Sequence, residues 1–380
     1  MQLAPLPWSA TRKEYEALAR ALQQGVQAGD ERALAAVQRF DPRCRDPKVP
    51  WLVREAGPGE LARLTFGLDE ARLLVARAHD FADGSALAEF AEAVASGGPV
   101  ARFEQAIECL LDGDLAGIEA LLAQEPELVR ARSTRRTCFD PSVHGATLLH
   151  YMAANGVEGG RQRTPPNAVA IARALLVAGA EPDALAGFYG TSCATMALLA
   201  SSDVPAAAGV QGALVELLLD HGARIEGCGE KWGSPLLTAL LFGCPQAVEA
   251  LVRRGARTDD VAIAAGLGRA ASVAELVQSA GAERRHLALA LAAQLGHPEA
   301  VRVLLDAGED PDRYNPEGAH SHATPLHHAA LHGHAAVVEL LLARGARIDL
   351  EDTLYHSTPS GWARHAGHEA LAQRLERAHS

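Results

Sequence analysis

Six histidines are crowded into one short stretch, His320, His322, His327, His328, His332 and His334. Imidazole at this density is the raw material of a zinc site, which needs three or four ligands converging at about 2 Å, and His328 and His332, four residues apart, share one helical face. A second possible chemistry is a cysteine nucleophile, with Cys138 six residues before His144. It would require the imidazole within hydrogen-bond range of the thiol, which nearness along a loop does not establish. A third is anion binding: Arg130, Arg132, Arg135 and Arg136 precede Arg161 and Arg163, with His144, His150 and Tyr151 between them. The arginine fork suits carboxylate or phosphate, but a run of arginines is also stable as solvated surface charge, which is the expectation here. No HExxH, no GxSxG and no glycine-rich phosphate loop after a strand is present, so no portable catalytic motif supports an enzyme.

Composition narrows the partners. The formal charge of −12 argues against nucleic acid, whose binding rests on a basic field that releases counterions. Aromatic residues make up 4 % and are not clustered as base-stacking platforms. Six scattered cysteines without a CxxC pair suggest reduced thiols in a cytosol, and no apolar run of about 18 residues suggests a membrane span. A soluble, unexported cytoplasmic protein needing neither metal nor cofactor is the expectation.

The element that positions the histidines is the stretch from Ala323 to Leu350, ATPLHHAALHGHAAVVELLLARGARIDL. Thr324 and Pro325 open a helix, Gly333 and His334 turn the chain, a second helix over Val337 to Leu342 includes Leu340 as a packing residue, and Gly345-Ala346 ends it. This pattern resembles an ankyrin repeat. The resemblance implies an all-α solenoid of about eight stacked helix pairs with projecting loops, and binding rather than chemistry as the usual task. It also accounts for His327 and His334, which the ankyrin pattern places there to hydrogen-bond between units, so a structural role for the cluster is favoured over a metal. Near the other end, Thr11 and Glu14 form a capping-box pattern before a helix, and further helices are expected over 32–39, 68–78 and 85–94. The segment ARLLVARAHDFADGSALAEF resembles a small helical domain that precedes ankyrin repeats in bacterial proteins. The expected division is a helical domain over 1–97 and the repeats over 98–380.

Glycines at 179, 222, 255, 281, 308 and 345 mark unit ends at intervals of 43, 33, 26, 27 and 37 residues. Against a period of about 33, the short intervals mean that loops are lost after Ala256 and after Ala282, where only a few residues precede helices expected near Val261 and Leu287. Longer loops at 224–233 and 309–323 would then border a notch. The residues just before each turn glycine face the concave side in such units, which nominates Phe242, Leu267, Leu295, Leu331 and His332, with Trp232, Asp312 and Tyr314 on the flanking loops. The apolar stripe is either exposed for recognition or covered by other parts of the chain. The expected function is recognition of a protein or peptide through the concave surface, with Trp232 as anchor; the alternative is a small-molecule pocket or active site in the notch.

Overall fold

The computed structural model describes residues 6–46, 53–54, 57, 65–228 and 234–378. Helix starts are written in the side chains that satisfy the first free N–H groups. Thr11 and Glu14 form the expected capping box at α1 (Arg12–Gln27), the Glu14 carboxylate accepting from the Thr11 N–H at 2.7 Å. Asp30 caps α2 (Glu31–Phe40), and Asp83 caps α4 (Gly84–Ala95) after α3 (Leu68–Ala78). The apolar faces of these four helices meet in one core built on Leu22, Val37, Leu74, Phe81 and Phe90.

Helix pairs follow. In the first unit they are α5 (Pro99–Asp112) with α6 (Leu115–Gln124), α7 (Leu148–Tyr151) with α8 (Ala168–Val177), and α9 (Thr195–Ala200) with α11 (Gln211–Asp220), the short α10 (Asp203–Ala207) filling the inserted loop of the third pair. A hairpin of β1 (Leu185–Phe188) and β2 (Thr191–Ala194) stands between the second and third pairs, a small strand element that the helical pattern did not foretell. Residues up to 223, with 228, form this first compact unit; residues 224–227 and 234 onward form the second. The glycines near residue 97 lie within the first unit, where α4 packs directly on α5.

The second unit holds α12 (Pro235–Leu241) with α13 (Pro245–Arg253), α14 (Val261–Gly266) with α15 (Ala270–Leu276), α16 (Ala282–Gln294) with α17 (Pro298–Asp306), α18 (Pro325–Leu331) with α19 (Ala335–Ala343), and α20 (Pro359–His365) with α21 (Glu369–Ala378). First helices stack on first helices and second on second, giving two layers. Two sequence expectations change here. The residues Glu283 to His286, read as a loop remnant before Leu287, are the first turns of α16, so the inner helix is longer where the finger is missing. In α19 the residue sealed in the core is Leu341, together with Val337 and Val338, whereas Leu340 is only half-buried.

Candidate functional site

In the second unit each turn between paired helices is made by a glycine in the left-handed region, and the residue before it caps the end of the first helix. Phe242, Leu267, Leu295 and His332 occupy this same station before Gly243, Gly268, Gly296 and Gly333. Their surroundings differ. Phe242 is 42 % exposed and His332 is exposed, while Leu267, Leu295 and Leu331 are half-buried. The residue one step earlier turns inward: Leu241 and Gly266 are buried, and the Gln294 amide donates to the Leu241 carbonyl at 2.9 Å, a contact between first helices two repeats apart.

Histidines at the start of the second helices lock successive turns together. His297 Nε2 donates to the Gly266 carbonyl at 2.9 Å and His334 Nε2 to the Gln294 carbonyl at 3.0 Å. At the helix openings, His327 Nδ1 accepts from the Thr324 N–H at 3.2 Å and so fixes the tautomer whose Nε2–H donates to the Ser357 carbonyl at 3.1 Å. His150 caps behind Thr147 in the same way. The rest of the histidine cluster gathers around Trp362, whose indole N–H donates to the buried Asp352 at 2.9 Å; His322, His327 and His328 all lie with ring centroids 5.3–5.7 Å from it. His328 is 3 % exposed and neither ring nitrogen has a hydrogen-bond partner; burial first, and then the neighbouring His320 and His332, push it down to about 3. Among the described residues no three His, Cys, Asp or Glu side chains are disposed to hold one ion.

The described parts of the flanking loops, 224–228 and 309–323, are braced. Asp312 Oδ1 accepts from the Arg347 N–H at 2.7 Å, and Glu226 Oε1 accepts from the Arg257 N–H at 2.8 Å in the same relation between earlier repeats. The Tyr314 hydroxyl donates to the Glu351 carbonyl at 2.6 Å and its carbonyl accepts from His286. Across the shortened loops run ion pairs, Arg284 with Asp260 at 2.7 Å, Arg285 with Glu309 at 2.8 Å, and Arg313 with Glu283. Trp232 lies outside the described residues. The acidic residue four positions after a closing Gly, as in Glu226, Asp259, Asp312 and Asp349, is the sequence signal from which the Asp312 and Glu226 braces were readable.

The arginine group divides: Arg130, Arg132, Arg136 and Arg163 are exposed, as surface charge would be, and Arg135 and Arg161 are not. Arg135 and Arg161 are neither solvated nor open to an anion: both are buried against Glu104, Arg135 at 3.0 Å, and Arg135 also lies 3.6 Å from Glu158. Phe81 and Phe90 stack on the Arg135 guanidinium, 4.8 and 4.3 Å from its carbon. Burial alone would raise the Glu158 carboxyl, but His144, Arg135 and Arg161 outweigh it and hold the group well below the usual carboxylate range. Arg132 serves the Gly145 and Leu185 carbonyls, Arg136 meets Glu89, Arg163 meets Glu108, and Arg130 is exposed. Cys138 and His144 do not form a nucleophile pair. The Ala146 N–H occupies His144 Nδ1 at 3.0 Å, Nε2 faces Glu158 at 3.5 Å, and burial pushes the Cys138 thiol up.

No helix among the described residues is long and apolar enough to cross a membrane. Residues 261–352 match the family model for ankyrin repeats, in three copies. An inactive serine/threonine-protein kinase of Mus musculus is 37 % identical over 89 residues, which is 23 % of this chain and 6 % of the relative. An ankyrin repeat and KH domain-containing protein of Caenorhabditis briggsae is 33 % identical over 136 residues, 36 % of this chain and 4 % of the relative. The chain thus matches only a small part of either protein's length. The matched segment is the run of pairs from α14 to α19, and the chain therefore carries ankyrin repeats within an all-α array of helix pairs.

Proposed function

We propose that the second unit is a recognition surface for a protein or peptide, read by the pre-turn residues Phe242, Leu267, Leu295, Leu331 and His332. The observation that carries this reading is the exposure of Phe242, a large aromatic ring, at a station that recurs along the stack. The half-buried leucines at or beside that station extend an apolar floor from it, and ankyrin repeats are generally protein-interaction modules. The braces at Asp312 and Tyr314 support the reading in a different way. They hold the loop over 309–323 in a fixed position, so a partner meets a preorganised rim there and less ordering cost is incurred on binding. Trp232 is proposed as a further anchor on the flanking loop.

Removing an aromatic anchor commonly costs about 2 kcal/mol, on the order of thirtyfold in affinity. Quantitative capture from a cell extract with the full chain, with Phe242→Ala and with Leu295→Ala, is the test, using the exposed Val177→Ala as control. The proposal expects at least one protein captured by the wild type and the control to be lost from both surface variants. Identical captured sets for all four chains would refute it.

A further inference from the structure

Among the described residues eight large apolar side chains stay exposed, and four of them, Phe139, Val143, Leu185 and Tyr189, sit on two short segments of the first unit, each between 39 and 49 % exposed. Backbone bonds lay those segments side by side. The Gly187 N–H donates to the His144 carbonyl at 2.7 Å and the Gly190 N–H to the Asp140 carbonyl at 3.3 Å, so the loop over 138–145 runs along β1. At the other end Arg132 Nη1 donates to both the Gly145 carbonyl at 2.8 Å and the Leu185 carbonyl at 2.7 Å.

Strand alternation decides which side chains turn outward. Ala186 and Phe188 are buried, and Phe188 stacks on the buried His144 ring with centroids 5.2 Å apart, so Leu185, Gly187 and Tyr189 take the opposite face. Pro141 covers Gly187 there, since a Cβ on that glycine would lie 2.9 Å from the proline ring, and the apolar surface is therefore continuous from Leu185 to Tyr189. The tyrosine is held out at a cost. The hairpin closes on Tyr189-Gly190, both at positive φ, with Phe188 paired to Thr191, a two-residue turn whose first position favours Asn, Asp or Gly. Its hydroxyl donates to Asn155 Oδ1 at 2.6 Å and fixes the exposed ring.

Charge selects the occupant. Arg132 stands at the Leu185 end and Asp140 beside Gly190 at the other, separated by the four strand steps between Leu185 and Tyr189, about 13 Å. Both are exposed, and neither has an ion-pair partner among the described residues. One charge of each sign gives no preference to an acidic or a basic partner, whereas a patch with opposite charges at its two ends is complementary to itself turned by 180°.

We propose that this patch is the contact between two copies of the chain, related by a two-fold axis near Pro141. The axis sets Arg132 of each copy against Asp140 of the other, and Leu185 and Val143 against Phe139 and Tyr189. Two short segments cover less area than obligate dimers bury, so the dimer dissociates on dilution, with a Kd on the order of micromolar. The contact lies in the first unit and stands apart from the protein-recognition reading of the second.

The test is sedimentation velocity of the full chain from about 1 to 200 µM, at about 0.15 M salt, where repulsion between two chains of net −12 is screened beyond about 8 Å. A monomer–dimer equilibrium is expected. Tyr189→Asn should weaken it at least about tenfold with the melting temperature kept, because asparagine suits the turn. Asp140→Arg and Arg132→Glu should each weaken it by a similar factor, and the double variant carrying both should restore it, since the exchanged charges again meet their opposites. The exposed Val177→Ala and Phe242→Ala leave it unchanged. If Arg132→Glu fails to fold, Tyr189→Asn and Asp140→Arg decide. A monomer at every concentration, wild-type association by both Tyr189→Asn and Asp140→Arg, or a folded double variant no better than the single ones would overturn the proposal.

Discussion

The imidazole of His334 lies against Gly296 and donates through Nε2 to the carbonyl of Gln294 at 3.0 Å, so the turn of one repeat is roofed by the second helix of the next. His297 repeats the contact on Gly268 and the Gly266 carbonyl. A Cβ at Gly296 would sit 2.6 Å from His334 Nδ1, in addition to the strain of its positive φ. Gly255 also has a positive φ, but its Cβ direction is open. Gly255→Ala should therefore cost about 1 kcal/mol and Gly296→Ala about 2 to 3 kcal/mol, read as urea midpoints. Equal costs would mean that the histidine contact adds nothing.

Glu104 is the shared acceptor of two buried arginines. Glu104→Ala leaves Arg135 and Arg161 with Glu158 and, for Arg161, the more distant Glu108 at 3.5 Å to balance them, and should destabilise by about 3 to 5 kcal/mol. The loss should be local to the first unit. Hydrogen exchange is expected to accelerate around Ala82, whose N–H donates to the Arg136 carbonyl, and Cys138, whose N–H donates to the Asp80 carbonyl, while α18 to α21 stay protected.

The clustered histidines, of which His327 and His328 are buried, make the last repeats sensitive to acid. Partial desolvation by the surrounding protein lowers His320, His322, His327 and His332, and the fuller burial of His328 lowers it furthest, to about 3. A base whose folded value is below its unfolded value of about 6.5 binds more protons when unfolded, so its contribution is complete above that pH and drains away as pH falls toward 3. Asp352 opposes this for His322 and His327, whose values its charge raises. The urea midpoint should fall between pH 7 and pH 5, and His328→Leu should shrink that fall while raising stability at pH 7, since it removes two unsatisfied nitrogens. An unchanged pH dependence in His328→Leu would count against this account.

Core truncation in α19 separates two neighbouring leucines. Leu341 is sealed and Leu340 is half-buried, so Leu341→Ala should cost about 2 to 5 kcal/mol and Leu340→Ala about 1 kcal/mol. Because repeat units share interfaces only with neighbours, either loss should loosen α18 to α21 before the helices of the first unit, as followed by hydrogen exchange.

Local chemistry was legible in the sequence wherever one residue type does one job within a few positions. The Thr11 and Glu14 capping box, the Thr324-Pro325 opening, the turn glycines at 243, 268, 296 and 333, and the bonding roles of His327 and His334 all follow from backbone geometry that a short stretch dictates. Contacts between distant segments were not legible. Whether Arg135 meets solvent or Glu104, 31 residues away, depends on how the loop over 132–146 lies across α4 and α5, and pairwise burial decides that rather than charge content. The close approaches of Gly156 to the Phe188 ring and of Gly187 to Pro141 in the first unit have the same origin, since each joins segments more than 30 residues apart. The growth of α16 into the space of a missing finger was likewise a tertiary outcome, since a helix continues as long as packing and ion pairs such as Arg284 with Asp260 and Arg285 with Glu309 reward it.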